Sequence, residues 1–346
     1  MDDLPASYAR IVAAFGADER TAAGLQRLAE DAAALAAAAE STWLRTQARA
    51  LAEAARAADG AEPNLEAIVD APLPPADPTA LARLEELLPA GGSLAGRLAA
   101  HEAASRLPPD ALRPAAERLL DLLRGRATED LELPAEHALE LHLAEDGPAT
   151  WRARLEAAPM ARLVVNASVG WTVGQLTNAI SSLAYPGEHL LRLMRPPSAE
   201  WSPSPETTIN HGLAAVGREI LLADHELAYE LERIGREAGR RWDGKVLVAV
   251  DRALGDLAPA YAAIAVGDER DPDRLVSLGV DPRTAEARIE AWRDPLARAT
   301  SLARAAGPPL VRAWLVVTGQ TTGLQRLLGE RLVPTMLRTE LADVAG

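Results

Sequence analysis

Between residues 18 and 59 the chain runs almost without a helix breaker. Leucine and alanine recur at helical spacing, with Glu, Asp and Arg set between them, and that pattern commits this part of the chain to helix. Ser41 and Thr42 offer a cap for a second helix carrying Trp43 and Leu44, so the stretch predicts a helical hairpin or one long kinked helix. Composition carries the same preference through the rest of the chain. Of the 346 residues 48% are hydrophobic but only 3% aromatic, and much of the hydrophobic fraction is alanine. Alanine has the highest helix propensity and little bulk, which favours many helices packed closely through small side chains.

The balance of charge narrows the partners. With 36 basic and 50 acidic residues the net charge is −14, which opposes binding to phosphate backbones and anionic membranes. Neither nucleic acid nor membrane is expected as a partner. There is no cysteine, so disulfides, thiolate metal sites and a cysteine nucleophile are excluded. The acidic start Met1-Asp2-Asp3-Leu4-Pro5 lacks the basic-then-apolar pattern of a secretory signal, and no apolar run approaches the roughly 20 residues that span a bilayer. A cytoplasmic location is expected.

Helices are predicted near residues 8–15, 78–88, 94–107 and 111–126, with a Pro-rich connector over 59–77. Between residues 136 and 171 the texture changes. Leu139, Leu141 and Leu143 alternate with polar residues, Trp151 to Leu155 alternate again, and Arg162-Leu163-Val164-Val165-Asn166 holds a β-branched pair. These three segments predict a small antiparallel sheet, the alternative being that 136–144 continues a helix. Helix resumes over 173–185, 206–222, 224–239 and 245–266. Short helices follow to the end, punctuated by Gly307-Pro308-Pro309 among other breaks. Residues 1–130 read as a helical region and 131–346 as a core, joined as one continuous domain.

Chemistry is concentrated where a Tyr185-Pro186-Gly187 step interrupts a helical run and is followed by Glu188-His189, with His211 at the start of the next helix. Proline cannot donate a backbone hydrogen bond and biases the residue before it away from helix, so a kink is predicted that turns Glu188 and His189 together into the interior. The segment from Ala184 to His189, with Pro205-Glu206 through Gly212-Leu213-Ala214, resembles an uncharacterised bacterial family of helical, zincin-like metallopeptidases, distantly similar to the Taq-type carboxypeptidases. That family carries A-H-E-x-Y-P-G-H-H and later P-E-x-x-I-x-E-G-x-A. Arg162 to Asn166 is similar to the family's R-I-E-V-N, and the likeness extends over about residues 135–343. It implies a zincin-like helical fold with a pocket at these motifs. The reactive positions depart from it: Ser182 stands for the first histidine, Leu183 for its glutamate, Glu188 for the next histidine and His211 for the later glutamate, while His189 is retained.

A zinc hydrolase needs imidazole and carboxylate ligands and a carboxylate to take a proton from bound water, and Leu183 cannot take it. Glu188, His189 and His211 still form a valid ligand set for a divalent metal such as zinc. His189 and His211 stand 22 residues apart, a separation compatible with consecutive antiparallel helices. Glu219 is placed to orient an imidazole or supply a base, and Tyr185 to hydrogen-bond an oxyanion. A metal-free pocket built from the same side chains, or a solvated turn with no site, are the alternatives. Arg195 and Arg218 are weaker candidates for binding a substrate carboxylate. His101 and His225 lack the second histidine four residues on that a helical zinc motif requires, and His137 and His142 read as sheet or surface residues.

The expected fold is mainly α, a large helical domain with a small antiparallel sheet beside a central cleft. Two functions are expected. One is a diverged metallopeptidase-like enzyme whose remodelled site acts on a small amide, amino-acid or peptide-like molecule and is not a conventional peptidase. The other is a catalytically inactive relative serving as a ligand- or protein-binding module.

Overall fold

The computed structural model describes residues 6–16, 21–135, 137–148, 151–156, 161–195 and 201–345. Asp18 and Glu136, at the edges of an expected helix and strand, and residues 196–200 of the proline-rich loop lie outside them. The chain opens with helices α1 (Ala6–Gly16), α2 (Ala22–Ala38) and α3 (Thr42–Ala58). The uninterrupted stretch is a helical hairpin: Ser41 caps α3 by accepting from the Leu44 amide at 3.1 Å. The buried positions of α2 and α3 are largely alanine, which lets the two helices approach closely. Next come α4 (Leu65–Val69), which ends on Asp70, then α5 (Ala80–Leu87), α6 (Leu94–Ala104) and α7 (Pro109–Asp130).

The sheet comprises β1 (Glu140–Ala144), β2 (Ala153–Glu156) and β3 (Arg162–Asn166), in the order β1-β3-β2. It is mixed, whereas an all-antiparallel sheet was expected: β3 pairs parallel to β1 and antiparallel to β2. The two outer strands run opposite to each other, as the turn between them requires, and β3 fills the gap. Alternation of side chains reports a half-buried strand but not the direction of its neighbour. Asn166 holds this arrangement, its amide donating to the carbonyls of Gly147, Pro148 and Trp151 at 3.0 to 3.2 Å.

The second half is helical: α8 (Val173–Leu183), α9 (Glu188–Met194), α10 (Pro205–Leu221), α11 (Asp224–Glu237), α12 (Gly244–Asp256), α13 (Ala258–Val266), α14 (Pro272–Ser277), α15 (Pro282–Ala291), α16 (Pro295–Thr318), α17 (Gln320–Gly329) and α18 (Pro334–Ala345). The single helix expected over 245–266 is two, divided at Leu257, with Pro259 in the first turn of α13 where its missing N–H is harmless. The opposite correction applies at Gly307-Pro308-Pro309, which lies inside α16. The prolines remove hydrogen bonds to the carbonyls four residues earlier, and tertiary packing holds the helix through them. At Gly307 α16 crosses α10 so closely that a Cβ there would lie 2.2 Å from the Thr208 carbonyl oxygen, and one on Gly212 would lie 2.6 Å from the Gly307 oxygen.

Helix α16 contributes to both large apolar clusters. The first includes Leu119, Leu163, Ile180, Leu213, Trp314 and Leu328. The second joins α1 to α4 with Leu302, Ala303 and Ala306. Among the described residues no helix is long and apolar enough to cross a membrane.

Candidate functional site

The break between α8 and α9 is built by sterics. The Ala184 amide closes α8 on the Ile180 carbonyl at 2.8 Å, the Tyr185–Pro186 peptide is cis, and Gly187 passes so near α8 that a Cβ would lie 1.9 Å from the Ser182 oxygen. Only glycine fits that approach. Helix restarts at Glu188, with a consequence for the two side chains that follow. Consecutive helical residues diverge by about 100°, so Glu188 and His189 do not turn inward together.

Glu188 faces a cleft and forms an ion pair with Arg192 one turn on. His189 points into the core, 2% exposed. Its Nε2–H donates to the His137 carbonyl at 2.9 Å, and the Tyr185 hydroxyl donates to the same oxygen. The two rings meet edge to face at 5.6 Å. Burial pushes the Tyr185 hydroxyl up to about 12 and lowers His189, favouring the neutral forms that these bonds use. Tyr185 and His189 therefore clamp the segment leading into β1 and do not form part of the cleft wall.

The cleft has a volume of about 1420 Å³ and is bounded by α8, α9, α10, α12 and α16. Ser182, Leu183, Glu188, His211 and Glu219 all line it. His211 is half-buried on α10, and burial, helped by the charge of Arg304, pushes its imidazole down to about 4. Glu219, two turns further on, accepts from Arg312 at 3.2 Å and lies 3.9 Å from Arg252. Among the described residues no group of three or more His, Asp or Glu side chains converges as a metal ion would require. The expected set of Glu188, His189 and His211 is thus not gathered, because the helical restart sends His189 to the far side of α9.

Arg195 and Arg218 line the cleft but are engaged by the protein itself. Arg195 donates to Glu206 and Asn210 at 2.9 Å each, and to the Leu327 carbonyl; Gln47 donates to the other oxygen of Glu206 at 3.4 Å. Arg218 bridges Asn178 and Asp251 at 3.1 Å. His101 and His225 do not line the cleft. His142 is exposed on β1, and His137 contributes its carbonyl. Sequence reading missed Asn210, Arg304 and Arg312. Arg304 was hidden because Gly307-Pro308-Pro309 reads as a break, whereas α16 continues and carries Arg304 and Arg312 along the cleft.

No protein-family model matches the chain, and no curated protein matches it. Among solved structures the chain is similar to the "putative lipoprotein from Colwellia psychrerythraea", with 14% identity and a TM-score of 0.45, over 92% of this chain and 55% of that one. The chain spans about half the length of that protein, and a likeness this loose carries no argument about function.

Proposed function

We propose that the protein binds a small amide, amino-acid or peptide-like molecule in this cleft and does not hydrolyse it, as an inactive relative of the metallopeptidases it resembles. The observation that carries this reading is the state of the expected reactive groups. Glu188 is paired with Arg192 and Glu219 with Arg312, while Tyr185 and His189 are committed to the His137 carbonyl. Leu183 occupies the position that the resemblance gives to the general base, and losing such a base lowers rates by roughly 10²- to 10⁴-fold. The cleft itself stays roomy and of mixed character. It offers Leu183, Leu191 and Pro308 for apolar contact and Asn210 and His211 for hydrogen bonds, the combination that small-molecule sites use.

A panel of N-acetyl dipeptides tests the reading. Ligand-observed NMR should detect binding of some members with Kd between about 1 μM and 1 mM, and mass spectrometry should find the peptides intact after prolonged incubation with zinc or with chelator. Chelator-sensitive turnover would instead establish the remodelled enzyme, and binding by no member would remove the site.

A further inference from the structure

Among the described residues six arginines line the cleft of a protein whose net charge is −14. Five are neutralised by the protein's own carboxylates: Arg192 by Glu188, Arg195 by Glu206, Arg218 by Asp251, Arg252 by Asp224 and Arg312 by Glu219. The sixth, Arg304, has no ion-pair partner among the described residues and is exposed toward the cleft. Its position follows from the helix crossing. Arg304 lies three residues before Gly307 on α16, and His211 lies immediately before Gly212 on α10, so the close contact of the two glycines brings cation and imidazole to one corner of the cleft.

Asn210, the residue before His211 on α10, also lines the cleft. Arg195 donates to its Oδ1, which fixes the orientation of the amide and leaves the NH2 end as the donor. A neutral imidazole at His211 adds one further N–H without adding charge. The arrangement therefore offers one full positive charge and neutral donors, beside a wall of Leu183, Ala214, Ala215 and Pro309. A monoanion satisfies it. A phosphate dianion would bring a second negative charge toward Glu188 and Glu219 with no further cation to meet it.

Resting on the binding function proposed above, we infer that the ligand presents a free carboxylate and that Arg304 anchors it, with Asn210 and His211 as accompanying donors. The peptide panel resolves this when every member is prepared both as free acid and as C-terminal amide. Acids should bind at least about tenfold more tightly than their amides, and Arg304→Gln should remove that preference, in keeping with the strength of a charge-assisted hydrogen bond. Arg304→Lys should retain part of it. Arg293→Gln, at a side chain 77% exposed outside the cleft, should leave it unchanged. Circular dichroism and thermal melts of each variant verify folding. Equal affinity of acids and amides, or an acid preference that survives Arg304→Gln, overturns the carboxylate anchor while leaving the binding function standing. Failure of every acid and every amide to bind overturns both, and tighter binding of O-phosphoserine-containing amides than of the acids overturns the choice of a monoanion.

Discussion

Neighbouring residues at the break have opposite fates, and the difference is one of burial. Glu188 stands at the cleft paired with Arg192, whereas His189 is enclosed, and burial disfavours its charged form. His211 lies between these cases, half-buried and pushed down to about 4. Its ordinary value in an unfolded chain is about 6.5. Between these two values the unfolded chain binds the proton that the folded ring refuses, so stability is full above about pH 6.5 and falls as pH is lowered toward 4. The full shift corresponds to at most about 3.4 kcal/mol. Urea unfolding at pH 7.5 and 4.5 should show this loss, and His211→Gln should reduce it. Part of the slope should remain, because burial also lowers His101 and His189. An unchanged slope in the variant would remove His211 as its source.

At the scale of the element, the contact of α10 with α16 determines where the cleft lies. It depends on two glycines whose substitution would drive a methyl group into backbone, since the atoms met first are the carbonyl oxygen of Thr208 at Gly307 and, besides a Val311 methyl group, the carbonyl of Gly307 at Gly212. A flexible side chain can move aside, but a helix backbone moves only as a whole. Gly307→Ala should therefore destabilise the protein by about 1–3 kcal/mol, even though alanine is the better helix former by nearly 1 kcal/mol. Denaturant titration measures the sign directly. A stabilised Gly307→Ala protein would mean that the two helices are not in contact as described. The same crossing keeps α16 helical through Pro308 and Pro309, so local breakers are overruled by packing around them.

For the molecule as a whole, the N-terminal helices and the C-terminal third share one apolar cluster through α16, and a polar clamp joins them again. Asp70, at the left-handed end of α4 with φ 54°, accepts from the Thr335 amide and hydroxyl at 2.7 Å and from Arg338 at 3.0 Å, while Arg338 also donates to the Asp70 carbonyl at 2.7 Å. The pair is only partly exposed, so solvent screens it less than a surface ion pair. Asp70→Ala should lower stability by about 2 kcal/mol, the loss of charge-assisted hydrogen bonds to groups that water then partly re-solvates. Because the ends of the chain share this core, unfolding followed by tryptophan fluorescence and by circular dichroism should give coincident transitions. Two separated transitions would show the N-terminal helices to be an independent unit.

Periodicity and composition were enough to determine that this chain is helical and that the Tyr185-Pro186-Gly187 step interrupts a helix, and to favour a sheet between residues 136 and 171 over a continued helix, because each of these depends on neighbours in sequence. The helical run of α2 and α3 with its cap at Ser41 was legible for the same reason, but the choice between a hairpin and one long kinked helix was not. Pairing direction in the sheet was not, since alternation is identical whether a strand's neighbour runs with it or against it. Nor was the direction of His189, which depends on helix restarting at once after Gly187, nor the continuity of α16, which depends on a contact with α10 nearly a hundred residues earlier. The residues brought to the cleft were partly foreseen, as with Ser182, Leu183, Glu188, His211 and Glu219. Which charges there remain available was decided by tertiary structure alone, because ion pairing is a property of distances between helices far apart in sequence, and among the described arginines that line the cleft it leaves Arg304 without a carboxylate.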